Sequence, residues 1–141
     1  MLVVMVVIGL LATIAVLKYI DVRNTARTAA LTGDFRAVTV AVMNYYADHE
    51  VWPPETGAGQ VPAGLASYLP GALTQSFDRT EYLLDYENLT ADGTPLIGVS
   101  VTSDDPKLMA KFIQMFATKA PFFATGSGKL TYLIHGPGGF F

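Results

Sequence analysis

The sequence has no cysteine, few charged residues and no proline before residue 53. The lack of cysteine excludes disulfide bonds, thiol catalysis and cysteine-based zinc sites. Charged residues make up 15% of the 141 residues and the formal net charge is −3, so the chain carries no basic footprint for nucleic acid. We expect a single domain with at most one appendage, because domains commonly hold on the order of 100–200 residues.

Charge is also missing from the start of the chain, where Lys18 is the first charged side chain. As a helix, the preceding run would be about 25 Å long, and roughly 17–25 residues span a bilayer core. A cleaved secretion signal fits poorly, because no basic residue precedes the run and no small-x-small site ends it. A buried core helix also fits poorly, since the run has no polar face for solvent. We expect a membrane-spanning helix.

The helical pattern continues after this run, because no proline interrupts it before Pro53 and Pro54. Apolar residues then recur at spacings of four and three along one stripe. This stripe is the expected seam between the helix and the rest of the chain: Leu31, Phe35, Val38, Val42 and Tyr45. Four alanines are expected near the same side: Ala26, Ala30, Ala37 and Ala41. The sequence thus predicts one helix of about 50 residues, roughly 75 Å long, with an apolar segment over 1–20 and an amphipathic segment over 21–52.

Residues 53–141 are predicted to form a small β-rich head with one short helix. Two strand candidates, "EYLLDYENL" and "PLIGVSVT", flank a turn at Asp92 and Gly93. Asp105 and Pro106 suit the cap and the first residue of a helix. "PFFAT" and "KLTYLIH" flank "GSG" and predict a hairpin, whereas the tail "GPGGFF" is too rich in glycine for regular structure. We expect an α+β fold in which an antiparallel sheet covers the apolar stripe of the long helix.

Three patterns in the head suggest binding sites but have simpler explanations. "GSGKLT" fails the phosphate-loop pattern, which needs a hydroxyl residue directly after Lys129. His49 and His135 lack ligand-like neighbours and are expected to be surface or capping residues. Four residues near one strand end could offer oxygen ligands to calcium, although a solvated strand face explains them more simply: Asp85, Glu87, Asn88 and Asp92. No cluster of nucleophile, base and orienting residue is visible, so we expect no enzyme, no cofactor and no metal.

The first half of the chain resembles a known family. The run "LVVMVVIGLLATIAVLKY", with Gly9, small residues and a closing Lys18-Tyr19, is similar to the N-terminal helix of type IV pilins and type II secretion pseudopilins. "VMNYYADHEVWPPETGAGQVPAGLASYLPG" resembles the end of that helix and the loop that follows. The resemblance covers about residues 1–70. It implies a pilin-like fold, with a long helix packed against an antiparallel sheet.

The chain departs from the family pattern at its start. Family members begin with a basic leader that ends in glycine, and a glutamate follows a few positions after the cleavage site. If Gly9 matches the helical glycine of the family, Met1 falls just after that glutamate. We therefore expect the reading frame to continue upstream and to encode the leader. Such a leader would also restore the usual orientation, because Lys18 and Arg23 lie after the span and no charge lies before it.

The resemblance implies a structural subunit of a helical filament, a type IV pilus or a type II secretion pseudopilus. Its helix–helix assembly would use Val4, Gly9, Ala12, Thr13 and Ala15, because small residues allow close approach of helices. The implied partners are copies of the chain, the inner-membrane assembly machinery, prepilin peptidase and membrane lipid before assembly, with no nucleic acid. The subunit would cross the inner membrane once and then enter a periplasmic or extracellular filament. The alternative is a monomeric bitopic anchor that presents a periplasmic binding domain.

Overall fold

One long helix, α1 (Leu2–His49), dominates the computed structural model, which describes residues 1–116, 121–125 and 128–141. The helix ends at Glu50, which has a left-handed backbone (φ 57°) and donates its N–H to the Tyr46 carbonyl at 2.8 Å. Pro53 and Pro54 follow and could not continue the helix. The predicted single helix of about 50 residues is confirmed.

The described part of the head holds one antiparallel sheet of six strands. In chain order they are β1 (Asp78–Arg79), β2 (Tyr82–Ala91), β3 (Thr94–Thr102), β4 (Phe122–Thr125), β5 (Lys129–Gly136) and β6 (Gly139–Phe140). The order across the sheet is β1-β2-β3-β5-β4, and β6 pairs with β5. A second helix, α2 (Pro106–Phe116), connects β3 to β4, and two short 3-10 helices (Ala66–Tyr68 and Gly71–Thr74) lie between α1 and the sheet in the chain.

Local signals explain most element boundaries. Asp92 (φ 51°) and Gly93 (φ 81°) form the two-residue turn between β2 and β3, where both positions need a left-handed backbone. The Asp105 carboxylate accepts hydrogen bonds from the N–H groups of Lys107 (2.9 Å) and Leu108 (3.3 Å) and so caps α2 as predicted. β4 and β5 form the predicted hairpin; its central Gly126 and Ser127 lie outside the described residues.

The prediction that the glycine-rich tail has no regular structure was wrong. Phe140 pairs with His135 and Gly139 with Gly136, so the tail forms β6 on the end of β5. Gly139 has a φ of 99°, a backbone conformation that glycine adopts readily because it has no Cβ, and this allows the chain to turn back onto β5. The Phe140 ring then lies 5.1 Å from the His135 ring and 6.0 Å from the Trp52 ring, measured between centroids, and these contacts hold the tail on the head.

The core lies between α1 and the inner face of the sheet. Alternate residues of β2 and β3 point to this face and are fully buried, among them Leu84, Tyr86, Val99 and Val101. α2 closes one side, where the Phe112 ring meets the Phe35 ring edge-on at 5.4 Å. Burial of these side chains supplies the main favourable term in folding. The expected α+β, pilin-like arrangement of a long helix on a small antiparallel sheet is confirmed.

Candidate assembly surface on the long helix

The N-terminal half of α1 projects from the head and is uncovered. Thr28 is the first buried residue along the chain, and even Ile20, the most covered large apolar side chain before it, is 46% exposed. Leu2–Ile20 is predominantly apolar and carries one charged residue, Lys18. This part of α1 is long and apolar enough to be a candidate membrane span.

The residues predicted to mediate helix–helix assembly lie in this uncovered part. Val4, Gly9, Ala12, Thr13 and Ala15 are all exposed. The Thr13 hydroxyl donates to the Gly9 carbonyl at 2.9 Å, and a Cβ added at Gly9 would meet no atom within 4 Å. With about 3.6 residues per turn, Gly9 and Thr13 point to a different side of the helix from Ala15. The five residues do not share one face, and their contact with other copies stays a prediction.

The residues predicted for the seam lie against the head. Leu31, Val38 and Val42 are fully buried, and Phe35 is nearly so. Tyr45 is half-buried; its ring stacks on His49 at 4.3 Å between centroids. Of the four alanines expected on this side, Ala41 is buried and Ala37 half-buried, but Ala26 and Ala30 are exposed. Their expected position was wrong because alanine suits either face of a helix, so composition alone does not orient it.

A second regular pattern occupies the opposite face of α1. We call it the outer stripe, and its members are Ala15, Tyr19, Val22, Ala26, Ala29, Gly33, Arg36, Val40, Met43 and Ala47. Every member is exposed, and consecutive members are alternately four and three residues apart. Such spacing keeps one face in line along a helix and is the pattern of helices that pack together. Arg36 is its single charged member.

Ion pairs fix the rotation of α1 against the head and so direct the outer stripe outward. The Arg27 guanidinium lies 2.7 Å from Glu81 and 2.9 Å from Asp105, which ties α1 to the start of β2 and of α2. The hydrogen bond to Glu81 raises the pKa of Arg27. Asp34 binds both the Arg79 guanidinium (3.0 Å) and the Tyr82 hydroxyl (2.7 Å). No local pattern predicts these pairs, because their members lie far apart in sequence.

A polar cluster on the other face of the sheet corrects the expectation of a solvated strand face. Lys129 on β5 pairs with Glu87 and lies 3.6 Å from Asp85, both on β2. The Ser100 hydroxyl donates to Glu87 at 2.9 Å and lies 2.8 Å from the Thr131 hydroxyl. The Asp85 and Glu87 side chains are largely shielded from solvent, and their negative charges face the Lys129 ammonium. Over the described residues, no group of three or more His, Asp or Glu is arranged to hold a metal ion.

Comparison with known proteins finds a family model that matches part of the chain. Residues 23–83 match the family model described as PilW, C-terminal, which points to a family related to type IV pilus biogenesis. The match covers less than half of the chain, from the part of α1 that carries the seam to the first residues of β2. No curated protein matches the chain. No solved structure matches it either.

Proposed function

We propose that the chain is a structural subunit of a helical filament of the type IV pilus kind, a pilin or pseudopilin, that assembles through α1. Its partners are copies of itself and, before assembly, membrane lipid, the inner-membrane assembly machinery and prepilin peptidase. The proposed role is structural and not enzymatic. The PilW-type match supports the link to type IV pilus biogenesis, because it covers the head-bound half of α1.

The observation that carries the proposal is the outer stripe. A monomeric anchor would need a polar outer face wherever α1 leaves the membrane, since that face would meet water. Val22, Val40 and Met43 lie beyond the apolar segment and are 66%, 54% and 46% exposed. Exposed apolar surface that extends over many turns, as the outer stripe does apart from Arg36, marks an interaction site. Neighbouring copies of α1 would cover it, which favours the filament over the monomeric anchor.

The small members of the outer stripe suit close helix packing. Ala26, Ala29 and Gly33 allow neighbouring backbones to approach, as do Gly9 and Ala12 nearer the start. Leaving the bilayer would expose the apolar segment to water at a cost of about 25 cal/mol per Å² unless other copies cover it. Repeated head-to-tail contacts between identical chains do not close and therefore generate a fibre.

The test is a pair of bulky substitutions at adjacent exposed positions. Ala29 belongs to the outer stripe, whereas Ala30 lies beside an open groove lined by Arg79 and Tyr82. The full chain is expressed with an export leader and a type IV pilus assembly machinery, and sheared filaments are quantified by immunoblot. Ala29→Trp should lower filament yield by about tenfold or more, because a close helix contact cannot admit the ring. Ala30→Trp should leave the yield near that of the parent.

Gly9→Trp tests the helix contact predicted for the membrane-embedded part of α1, on a different side of the helix from the outer stripe. A side chain at Gly9 meets no atom within 4 Å in the monomer, so membrane insertion should be unchanged while filaments are lost. Membrane fractionation verifies the insertion. Normal filament yield from both Ala29→Trp and Gly9→Trp, or a full-length chain that stays monomeric when the machinery is present, would reject the filament and favour the anchor.

A further inference from the structure

Helix α2 lies beside the point where the apolar segment of α1 ends. The Lys111 ammonium contacts the Asp21 carboxylate and the Thr25 hydroxyl, each at 3.1 Å. The cap of α2, Asp105, pairs with Arg27 at 2.9 Å. These contacts place the first half of α2 within about two helical turns of Ile20 along α1, whereas the Phe116 ring lies 5.9 Å from the Phe35 ring, about four turns beyond Ile20. If Leu2–Ile20 spans a bilayer, the first half of α2 lies near the level of the lipid headgroups.

The side chains at this level favour an anionic surface. Lys18, Arg23 and Lys107 are exposed, and none has an ion pair within the described residues. Lys18 lies one turn before Asp21 on the same side of α1, toward Lys111. Five basic residues at this level face four acidic ones, so the local net charge is +1: Lys18, Arg23, Arg27, Lys107 and Lys111 against Asp21, Glu81, Asp104 and Asp105.

α2 also has the outward composition of an interfacial helix. Pro106, Ala110 and Ile113 are exposed along one side at spacings of four and three, next to Lys107 and Lys111. An apolar strip bordered by lysines can enter the headgroup boundary while its ammonium groups meet lipid phosphates. The opposite side of α2, with Leu108 and Phe112, is buried against the head.

We propose that the first half of α2 docks on the bilayer surface before assembly, with Lys18, Lys107 and Lys111 bound to anionic lipid headgroups. This contact orients the head on the membrane. This proposal rests on the proposed function, in which the chain is inserted in the membrane before assembly. Electrostatic attraction to an anionic leaflet is additive over basic residues near the surface and decays within a Debye length.

The test measures how close α2 lies to the headgroups. The chain has no cysteine, so a fluorophore attached through Ala110→Cys reports on α2 alone. The full chain is reconstituted into phosphatidylcholine vesicles with or without about 30 mol% phosphatidylglycerol, and quenching by headgroup nitroxide lipid is measured. Quenching should be stronger with phosphatidylglycerol. Lys107→Gln with Lys111→Gln should lower the ratio of docked to free α2 on the order of tenfold.

Controls separate this contact from the insertion of the span. Arg36→Gln removes one positive charge about 24 Å beyond Ile20 along α1, where Arg36 lies over the Phe116 ring at 5.4 Å, and should leave quenching unchanged. A fluorophore through Ala47→Cys, about 40 Å beyond Ile20 along the helix, should be unquenched in both lipids. A label through Leu10→Cys checks insertion, because acyl-chain nitroxides should quench it. If that label is quenched but the Ala110 label is quenched equally in both lipids, or in neither, the proposal is overturned. An unquenched Leu10 label overturns the membrane stage itself.

Discussion

Asp85 and Glu87 lie two residues apart on β2, yet their surroundings move their pKa values in opposite directions. Burial, and then the neighbouring charge of Glu87, raises the pKa of Asp85 to about 6. Burial also acts to raise the pKa of Glu87, but hydrogen bonds from Lys129 and Ser100 outweigh it and hold that pKa below its ordinary value. One Asp85 oxygen is buried and has no hydrogen-bond partner among the described residues, which disfavours the charged form.

Asp85→Asn should therefore stabilise the fold above pH 6. The folded-state pKa of Asp85 exceeds its unfolded value of 3.8. Protonated Asp85 therefore contributes its full stabilisation of the fold below pH 3.8, and this contribution is lost as pH rises through about 6. We expect the variant to raise the free energy of unfolding by about 1 to 2 kcal/mol at pH 8, with little change near pH 4. Urea denaturation of the full chain in detergent, followed by near-ultraviolet circular dichroism, measures this.

Glu87→Gln is the matched control with the opposite expected sign. The folded-state pKa of Glu87 lies below its unfolded value, so its contribution is present above pH 4.5 and is lost as pH falls through the lowered pKa. The variant should lower stability at pH 8. If both variants change stability in the same direction at pH 8, the proposed division of charge around Lys129 is incorrect.

Among the elements, those that depend on local signals were predictable from the sequence. The length of α1 follows from the absence of proline, the β2–β3 hairpin from Asp92 and Gly93, and the start of α2 from Asp105. The glycine-rich tail was not predictable, since β6 is held by aromatic contacts with Trp52, which lies far away in sequence. Non-local contacts can override the weak intrinsic preference of a short segment.

The candidate surface was only partly predictable for a related reason. Large apolar residues at spacings of four and three mark the side of α1 that lies on the head. The outer stripe has the same spacing, but half of its members are alanine or glycine, which carry little hydrophobic signal. Ala26 and Ala29 can be recognised as parts of a candidate surface only from the structure, which shows that they are exposed on one face of α1.

The contact between α1 and the sheet can be tested with one buried and one exposed position. Val38 is fully buried, so Val38→Asp would place an unpaired carboxylate in the core and should cost several kcal/mol, on the order of the whole stability of a small domain. Asn44→Asp adds the same charge at an exposed position and should be nearly neutral. Melting temperatures from circular dichroism decide the matter. A parent-like value for Val38→Asp would mean that this position does not pack in the folded core.

At the scale of the whole molecule, α1 divides into two parts with different surroundings. Before Thr28 it has no buried residue, whereas beyond Thr28 one side is covered by the head and the other carries the outer stripe. The head and this covered part of α1 share one core, to which Leu65, Phe77 and Phe112 contribute from outside α1 and the sheet. Folding and assembly therefore depend on different residues of one helix.

This division predicts that a chain beginning at Asn24 is soluble, folded and monomeric. It keeps every described buried residue and the Arg27 pairs with Glu81 and Asp105. The ion pair that it loses, between Lys111 and Asp21, is exposed. An exposed ion pair contributes at most about 1 kcal/mol, so its loss should not unfold the head. Sedimentation equilibrium at micromolar concentration and near-ultraviolet circular dichroism measure the mass and the packing.

A chain beginning at Gly33 is the control, because it lacks Thr28, Leu31 and Thr32 and opens the core beside Phe35; it should fail to fold. If the Asn24 chain is unfolded, the apolar segment contributes to the folding of the head. If it forms stable oligomers, the part of the outer stripe that it keeps associates without the apolar segment.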